Sequence, residues 1–256
     1  MTRIALTRAV SPLLQDCELT HVERQPIDVH LAQEQHAAYE DCLRELGCDV
    51  RRLPDAPDLP DSVFVEDTVI LLDELAIITR PGAQSRRPEI ESMKEAVEPI
   101  RSVHTIEAPA VLDGGDVLRI GRRLCVGLSG RSNREAITHL RGILAPYGYT
   151  VEGVPLRGCL HLKSAVTQVA EDAVLMNPEW VSSQAFPDLR HIEVDPAEPD
   201  AANALRIADT VLFPAQYGRT AERLRQHGIA VRTVDVTELG KAEGGVTCCS
   251  VILEAT

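Results

Sequence analysis

Three stretches repeat one pattern: Cys42-Leu43-Arg44-Glu45-Leu46-Gly47-Cys48-Asp49-Val50, Ile143-Leu144-Ala145-Pro146-Tyr147-Gly148-Tyr149-Thr150-Val151 and Leu224-Arg225-Gln226-His227-Gly228-Ile229-Ala230-Val231. Each begins as the end of an apolar-faced helix, passes through a glycine and continues as a strand. A repeat of about 40 to 50 residues indicates supersecondary units, each of which cannot bury its apolar face alone. The spacing predicts five units of the type strand–strand–helix–strand.

Short apolar runs between these junctions predict a hairpin at the start of each unit. Helices are predicted at Val29–Leu46, Glu89–Ile100, Arg134–Leu144, Glu179–Phe186 and Ala221–His227. Strand-like runs include Ser62–Val65 and Val246–Leu253, and the N-terminal strand Ile4–Arg8 is predicted to complete the hairpin that Val246–Leu253 begins. We therefore expect an α/β fold of five ββαβ-type pseudo-repeats around a central axis, forming a single domain over residues 1–256.

Polar residues recur at one phase of the repeat, at the mouth of each predicted hairpin. They are Glu66-Asp67, Asp113-Gly114-Gly115-Asp116, His161, Asn203 and Cys248. Equivalent positions in a ring of repeats converge near its axis. The sequence thus predicts that carboxylates, a histidine and a cysteine share one central site.

The overall composition limits the kinds of ligand and location. The net charge is −13, which is unfavourable for binding nucleic acid or an anionic membrane and suits a small cation better. Seven cysteines without a framework spacing predict reduced thiols and a cytoplasmic protein. Met1 leads straight into a strand-like run, so we expect no signal peptide, and no CxxC or HExxH motif indicates a metal site.

The glycine pair Gly244-Gly245 precedes two candidate nucleophiles, Cys248 and Cys249. A thiolate attacks an electrophilic carbon better than other side chains do at neutral pH. Adjacent residues of a strand face opposite ways, so only one of the two can face the site, and the nearby glycines favour Cys248. His161 is the candidate acid–base partner.

Carboxylates are predicted to surround that thiol. Either Asp113 or Asp116 is expected to orient His161, while Glu66 and Asp67 lie in an apolar stretch where charges are costly unless paired or ligand-bound. Such carboxylates would hold a planar cation, which indicates a guanidinium or amidinium substrate. Arginines in the loops after the hairpins are candidates to bind a substrate carboxylate: Arg80, Arg86, Arg87 and Arg131.

Six stretches of the sequence resemble the dimethylarginine dimethylaminohydrolase family of the pentein (amidinotransferase-like) superfamily, and they occur in the family's order and at matching points of the repeats. They are Leu59-Pro60-Asp61-Ser62-Val63-Phe64-Val65-Glu66-Asp67, Ile78-Thr79-Arg80-Pro81-Gly82-Ala83-Gln84-Ser85-Arg86-Arg87, Leu112-Asp113-Gly114-Gly115-Asp116-Val117-Leu118, Val126-Gly127-Leu128-Ser129-Gly130-Arg131-Ser132-Asn133, His161-Leu162-Lys163-Ser164 and Gly244-Gly245-Val246-Thr247-Cys248-Cys249-Ser250. The resemblance implies a pentein α/β-propeller with one catalytic domain.

The resemblance also implies roles for particular residues. It places the nucleophile on Cys248, the general acid–base on His161 and the third member of the triad on Asp113. It matches Glu66 and Asp67 to guanidinium contacts, and it matches further residues to the amino-acid end of the substrate: Asp61, Arg86 and Arg131 by side chains, Leu19 and Ala242 by backbone. Glu243, where the family often has Asp, receives no role.

The activity implied is hydrolysis of Nω-methylated arginines to citrulline and an amine through a covalent Cys248 thiouronium. No cofactor or metal is needed, although a soft ion such as zinc could inhibit by binding Cys248 and His161. The substrate's own charge would help to lower the thiol pKa.

Several alternatives remain open from the sequence. An arginine or agmatine deiminase would release ammonia, and Arg86 and Arg131 argue against agmatine, which has no carboxylate. An amidinotransferase would pass the intermediate to an amine. A non-catalytic arginine-binding protein would form no adduct, and a pentein translation factor is disfavoured by the thiol and the acidic charge. We expect a monomer or a weak homodimer.

Overall fold

A computed structural model describes residues 2–255, with side chains described for residues 3–254. Met1 and Thr256, the ends of the predicted domain, lie outside the described residues. The strands are β1 (Thr2–Thr7), β2 (Cys48–Arg52), β3 (Val69–Leu71), β4 (Leu75–Ile78), β5 (Ser102–Thr105), β6 (Val117–Ile120), β7 (Arg123–Leu128), β8 (Thr150–Pro155), β9 (Val166–Ala170), β10 (Ala173–Met176), β11 (Arg190–Glu193), β12 (Leu205–Ile207), β13 (Thr210–Pro214), β14 (Ala230–Val234) and β15 (Val251–Ala255).

Within the described chain these strands form five three-stranded sheets of one topology. The strand orders are β15-β1-β2, β3-β4-β5, β6-β7-β8, β9-β10-β11 and β12-β13-β14. In each sheet the middle strand pairs antiparallel with the first strand and parallel with the third. The predicted five pseudo-repeats are confirmed, and β1 does complete the hairpin begun by β15.

Helices supply most of the crossovers that the parallel third strands require. The helices are α1 (Val29–Glu45), α2 (Ile90–Val97), α3 (Arg134–Leu144), α4 (Leu162–Ala165), α5 (Gly218–Gln226) and α6 (Thr237–Gly240). Asp28 and Asn133 cap α1 and α3 by accepting from Leu31 N and Ala136 N. These caps fix where the two longest helices begin.

The hydrophobic core joins neighbouring units. Ile137 and Leu140 of α3 are buried in one cluster with Ile77 of β4 and Leu124 of β7, so this helix is covered by two sheets. First strands of consecutive sheets also meet, since β15 contacts β3, β6 contacts β9, and β9 contacts β12. Each unit therefore buries its apolar face against the next one, as the repeat requires.

Three predicted elements differ from the structure. Strand β15 begins at Val251, and the stretch from Val246 to Cys249 forms a turn in which Cys248 N donates to Gly245 O at 3.2 Å. The predicted strand Ser62–Val65 is a turn, followed by a 3-10 helix over Val65–Thr68, because Phe64 N bonds locally to Asp61 O at 2.9 Å. The predicted helix Glu179–Phe186 reduces to a 3-10 turn at Ser183–Ala185, while the one-turn α6 was not predicted.

None of the helices that the structure describes is long and apolar enough to cross a membrane.

Candidate active site

The polar segments lie where each first strand begins. Val65–Thr68 leads into β3, Gly114–Asp116 into β6, and His161 caps α4, which leads into β9. Asn203 and Cys248 lie shortly before β12 and β15. Because the first strands of neighbouring units are in contact, their beginnings bring these segments together.

His161 lies among three carboxylates and is buried. Its Nε2 is 3.0 Å from Asp113 Oδ2 in a hydrogen bond, and its Nδ1 is 3.8 Å from Asp67 Oδ1. Burial alone would lower the pKa of His161, but Asp67, Asp113 and Asp116 outweigh burial and raise that pKa to about 9. The ring is therefore an imidazolium at neutral pH, a form that can give a proton to a leaving group.

Asp113 and Asp116, which the sequence left as alternatives for orienting His161, have different partners. Asp113 carries the hydrogen bond to the ring. Asp116 accepts from Leu162 N at 3.0 Å and from the hydroxyls of Ser129 and Ser132. Asp113 thus orients the imidazole of His161, and Asp116 holds Leu162, the first residue of helix α4.

Cys248 and Cys249 occupy different environments although they are adjacent. Cys248 is 9% exposed and its sulfur accepts from Gly245 N at 3.3 Å, whereas Cys249 is 0% exposed and its sulfur contacts Gly245 O at 3.5 Å. Since both lie in a turn, the strand alternation expected from the sequence does not separate them. Only Cys248 of the two lines a described cavity.

The Cys248 thiol is protonated at neutral pH. Burial and the carboxylates of Glu66 and Asp67 raise its pKa to about 12, against a weaker opposing effect of the Gly245 N–H. A cation placed beside the sulfur would offset those carboxylates. A cation beside the sulfur would therefore favour the thiolate, which is the nucleophilic form.

Asp67 is fixed by contacts from two sides. Its Oδ2 accepts from Arg86 Nη1 at 2.6 Å and its Oδ1 accepts from Gly115 N at 2.9 Å. Burial would raise the pKa of Asp67, but His161 and Arg86 prevail and lower it to about 2. Asp67 remains ionised and can face a guanidinium.

Glu66 is bound to two neighbours that the sequence analysis did not assign to the site. Its Oε1 accepts from Lys163 Nζ at 2.5 Å, and its Oε2 accepts from Thr247 Oγ1 at 2.8 Å. Asn203 in turn donates to Thr247 Oγ1 at 3.0 Å. This network joins the segments before β3, β9, β12 and β15.

Arg86 is buried in an ion-pair network. Besides Asp67, its guanidinium donates to both oxygens of Glu89, at 3.1 and 2.8 Å, and to Phe64 O at 3.0 Å. Glu89 is itself buried and was not singled out from the sequence. The structure thus gives Arg86 a role in holding Asp67, and its contact with the substrate stays a prediction.

One cavity, called here the small cavity, brings most of the expected residues together. Its volume is about 20 Å³, and it is lined by Glu18, Asp61, Phe64, Asp67, Arg86, Arg131, Leu160, His161, Ala242, Glu243, Gly244 and Cys248. That volume holds roughly one water molecule. Of the expected residues, Asp113, Glu66 and Leu19 are not in this lining; Asp113 lies behind His161.

The loop that carries Leu19 is closed over the small cavity. Glu243 accepts from Thr20 N at 2.5 Å and from His21 N at 2.7 Å, and Arg131 Nη2 donates to Thr20 Oγ1 at 2.9 Å. Asp61 accepts from Glu18 N at 3.1 Å. Glu243, which received no role from the sequence, is the carboxylate that holds the loop shut.

Asp67, Asp113 and His161 also form a group whose ligand atoms lie within 4.8 Å of one another, close enough to surround a metal ion. Their proximity is accounted for by the hydrogen bond between His161 and Asp113 and by the charge attraction to Asp67. Zinc at Cys248 and His161 remains a prediction.

Comparison with known proteins identifies both the class and the family. Residues 20–188 match the family model described as "N,N dimethylarginine dimethylhydrolase, eukaryotic". The N(G),N(G)-dimethylarginine dimethylaminohydrolase of Streptomyces coelicolor is 42% identical over 251 residues, covering 97% of this chain and 96% of that protein.

Two solved structures are similar along the whole chain, each with a TM-score of 0.94, 36% identity, and coverage of 99% of this chain and 100% of theirs. One is a cysteine-to-serine variant of the Pseudomonas aeruginosa enzyme complexed with citrulline. The other is a histidine-to-glycine variant of a dimethylarginine dimethylaminohydrolase as an adduct with S-methyl-L-thiocitrulline.

The fold is that of a pentein, with five three-stranded sheets, and the small cavity brings Cys248, His161 and Asp67 together. Within that class, the chain belongs to the dimethylarginine dimethylaminohydrolase family.

Proposed function

We propose that the chain hydrolyses Nω-methylated arginines to citrulline and methylamine or dimethylamine through a covalent intermediate on Cys248. The observation that carries this proposal is the small cavity, where the Cys248 thiol, the His161 imidazolium and ionised Asp67 face one space. The citrulline complex and the thiocitrulline adduct of the relatives support the same substrate class.

The guanidinium binds beside Asp67, and its charge stabilises the Cys248 thiolate. The sulfur attacks the guanidinium carbon and turns a cation into a neutral tetrahedral species, so no oxyanion hole is needed. His161 then protonates the departing amine, with Asp113 holding the ring in place. Water, deprotonated by His161, attacks the thiouronium and releases citrulline.

The other end of the substrate is an amino acid, and the residues proposed for it surround the small cavity. Asp61 presents a carboxylate to the ammonium group, and Arg131 presents a guanidinium to the carboxylate. Arg86 and the backbones of Leu19 and Ala242 complete this part of the proposal. The loop must open for substrate to enter, because the closed cavity holds about one water.

The chain is further proposed to act without a cofactor, in the cytoplasm, as a monomer or a weak homodimer. The free thiols of the seven cysteines suit a reducing compartment. None of these proposals requires a partner chain to complete the small cavity, since all of its lining comes from one chain.

Incubating the purified protein with asymmetric dimethylarginine and, separately, with arginine tests the function. We expect citrulline and dimethylamine from the methylated substrate, lost in Cys248→Ser and retained in the neighbouring control Cys249→Ser. Ammonia from arginine would instead make the protein a deiminase. Binding without turnover of either compound would make it a non-catalytic arginine-binding protein.

A further inference from the structure

A second cavity, called here the side cavity, also reaches Cys248. Its volume is about 610 Å³, far larger than that of the small cavity. The two cavities share only Leu160, Glu243, Gly244 and Cys248 as lining residues. The reactive sulfur therefore lies on the wall between a closed space and a roomy one.

The two cavities are built from different units of the fold. The side chains proposed for the amino-acid end of the substrate, Asp61, Arg86 and Arg131, line the small cavity alone. The far wall of the side cavity comes from the last two units, with Trp180 after β10, Asp200 before β12 and Tyr217 after β13. A substrate whose carbon is bonded to Cys248 thus has its amino-acid end on one side and open space on the other.

The side cavity also begins next to the leaving group. Leu160, which directly precedes the proton donor His161, lines both cavities. The nitrogen that accepts the His161 proton is the one that carries the N-substituent. Since the small cavity must already widen to admit the guanidinium, the side cavity beside Leu160 is the larger existing space for a substituent on that nitrogen.

The walls of the side cavity suit an alkyl group that leaves as an ammonium ion. Trp180 and Tyr217 offer aromatic surface, which packs against alkyl carbons and attracts alkylammonium ions. Asp200 forms no ion pair with any residue that the structure describes, and burial raises its pKa. Asp200 is nonetheless an exposed residue that lines the side cavity, so its carboxylate can attract an organic cation that leaves this way.

We propose that the side cavity binds the N-substituent of the substrate, so that the protein also hydrolyses Nω-alkylarginines whose substituents are longer than methyl. This inference rests on the proposed function and extends its substrate class to ethyl, propyl and butyl groups. The alkylammonium product leaves through the side cavity while the loop held by Glu243 keeps the amino-acid end in place.

The chemistry is the same for every substituent. The bond from Cys248 sulfur to the guanidinium carbon forms, and the bond from that carbon to the alkylated nitrogen breaks with its electron pair staying on nitrogen. The nitrogen takes the His161 proton. Water then adds to the carbon and gives one proton to His161, the sulfur–carbon bond breaks, and the other proton of water restores the Cys248 thiol. The first thiol proton went to solvent when the sulfur–carbon bond formed, and the neutral amine takes one proton from solvent, so the sum is substrate plus water giving citrulline plus alkylammonium.

The test compares kcat/KM for Nω-methyl-, Nω-ethyl-, Nω-propyl- and Nω-butyl-L-arginine, measuring citrulline. We expect the butyl compound to be turned over within about tenfold of the methyl compound, because its extra carbons lie in existing space and bury apolar surface. A fall of a hundredfold or more at ethyl would overturn the inference and leave the proposed function intact. No turnover of the methyl compound would overturn the proposed function itself.

Variants in the wall of the side cavity test whether this cavity accommodates the longer substituents. Gln216 is exposed and lines the side cavity, so Gln216→Trp is expected to lower the butyl-to-methyl ratio of kcat/KM at least tenfold. Gln184→Trp, at an exposed position outside both cavities, is the matched control and should leave the ratio unchanged. Trp180→Ala supplies a second measurement by removing an aromatic wall. A ratio unaltered in both Gln216→Trp and Trp180→Ala would contradict the assignment.

Discussion

At rest, Cys248 and His161 differ from a thiolate–imidazolium pair only at the sulfur, because Cys248 keeps its proton while His161 is an imidazolium. Burial, with Glu66 and Asp67, raises the pKa of the Cys248 thiol to about 12, whereas Asp67, Asp113 and Asp116 outweigh burial and raise the pKa of His161 to about 9. Asp67 therefore contributes both to keeping the thiol protonated and to keeping the imidazole charged. A cationic substrate beside the sulfur would oppose the first effect by lowering the pKa of the thiol.

The protonated thiol predicts slow alkylation in the absence of substrate. We expect the rate at which iodoacetamide labels Cys248 to rise about tenfold per pH unit from pH 7 to 10, without levelling near the ordinary thiol pKa of 9.0. Mass spectrometry of the peptide that contains Cys248 measures this rate. A rate that levels off below pH 8.5 would show that the resting thiol is already a good nucleophile.

Asp113→Asn removes the negative charge beside His161 but keeps a side chain of nearly the same shape. Loss of the carboxylate bonded to Nε2 should lower the His161 pKa from about 9 and reduce kcat roughly a hundredfold or more. In the unchanged protein, turnover should decline as pH rises through about 9, where the imidazolium loses its proton. NMR titration of the imidazole and a pH profile of kcat measure both effects, and an unshifted NMR pKa in Asp113→Asn would refute this assignment.

Among the elements, the turns that precede the first strands position the reactive groups. The turn at Gly114-Gly115 lies against two other segments of the site, and a Cβ on Gly115 would be 2.6 Å from His161 Nδ1 and 2.7 Å from Asp67 Oδ1. Neither glycine has a positive φ, so backbone conformation does not explain the need for glycine. The close approach of His161 and Asp67 does explain it at Gly115.

Gly115→Ala should therefore displace His161 or Asp67 and reduce kcat/KM at least a hundredfold. Gly130→Ala is the control, because a Cβ at Gly130 meets nothing within 4 Å and its φ is not positive. Steady-state kinetics and circular dichroism distinguish loss of activity from loss of fold. Equal activity in the two variants would mean that the turn tolerates movement of the site.

Glu243, in the segment before β15, holds two backbone N–H groups of the loop over the small cavity. Glu243→Gln replaces a charged acceptor of two backbone N–H groups by a neutral one, so the closed loop is destabilised by about 1 to 2 kcal/mol. We expect KM for dimethylarginine to rise about tenfold with a smaller change in kcat. The exposed Glu107, which lines neither cavity, supplies the control Glu107→Gln, and a KM that moves equally in both variants would argue against this role.

At the scale of the whole molecule, the structure also buries polar groups outside the site. His36 of α1 is 1% exposed beside Glu40, which pairs with Arg52. Burial lowers the pKa of His36 to about 4, with Glu40 opposing and Arg52 reinforcing that change. The folded state therefore disfavours the imidazolium that the unfolded chain forms near pH 6.5.

This difference makes the fold sensitive to mild acid. Because the pKa is lower in the folded state, its contribution to stability is present above pH 6.5 and is lost as pH falls from 6.5 towards 4, by roughly 3 kcal/mol in all. Urea unfolding between pH 7 and 4.5 measures the loss, which His36→Gln should reduce. His30→Gln alters an exposed histidine of the same helix and should leave the slope intact; equal slopes in all three proteins would refute this effect.

The sequence by itself determined the five repeats, because helix–glycine–strand junctions are local and follow from residue spacing. It also determined that Glu66-Asp67, Asp113, His161 and Cys248 occupy equivalent positions. The orders of the five sheets and the hydrogen bond between His161 and Asp113 agree with both predictions.

Only the tertiary structure decided which contacts those residues make. The turn before β15 leaves Cys248 at the cavities and buries Cys249, a distinction that strand alternation could not supply. Arg86 meets Glu89 and Asp67 together, and Glu243 meets Thr20 across 223 residues of sequence. The side cavity likewise lies between loops of separate units. Such contacts depend on how distant segments pack, and no local pattern of residues encodes that packing.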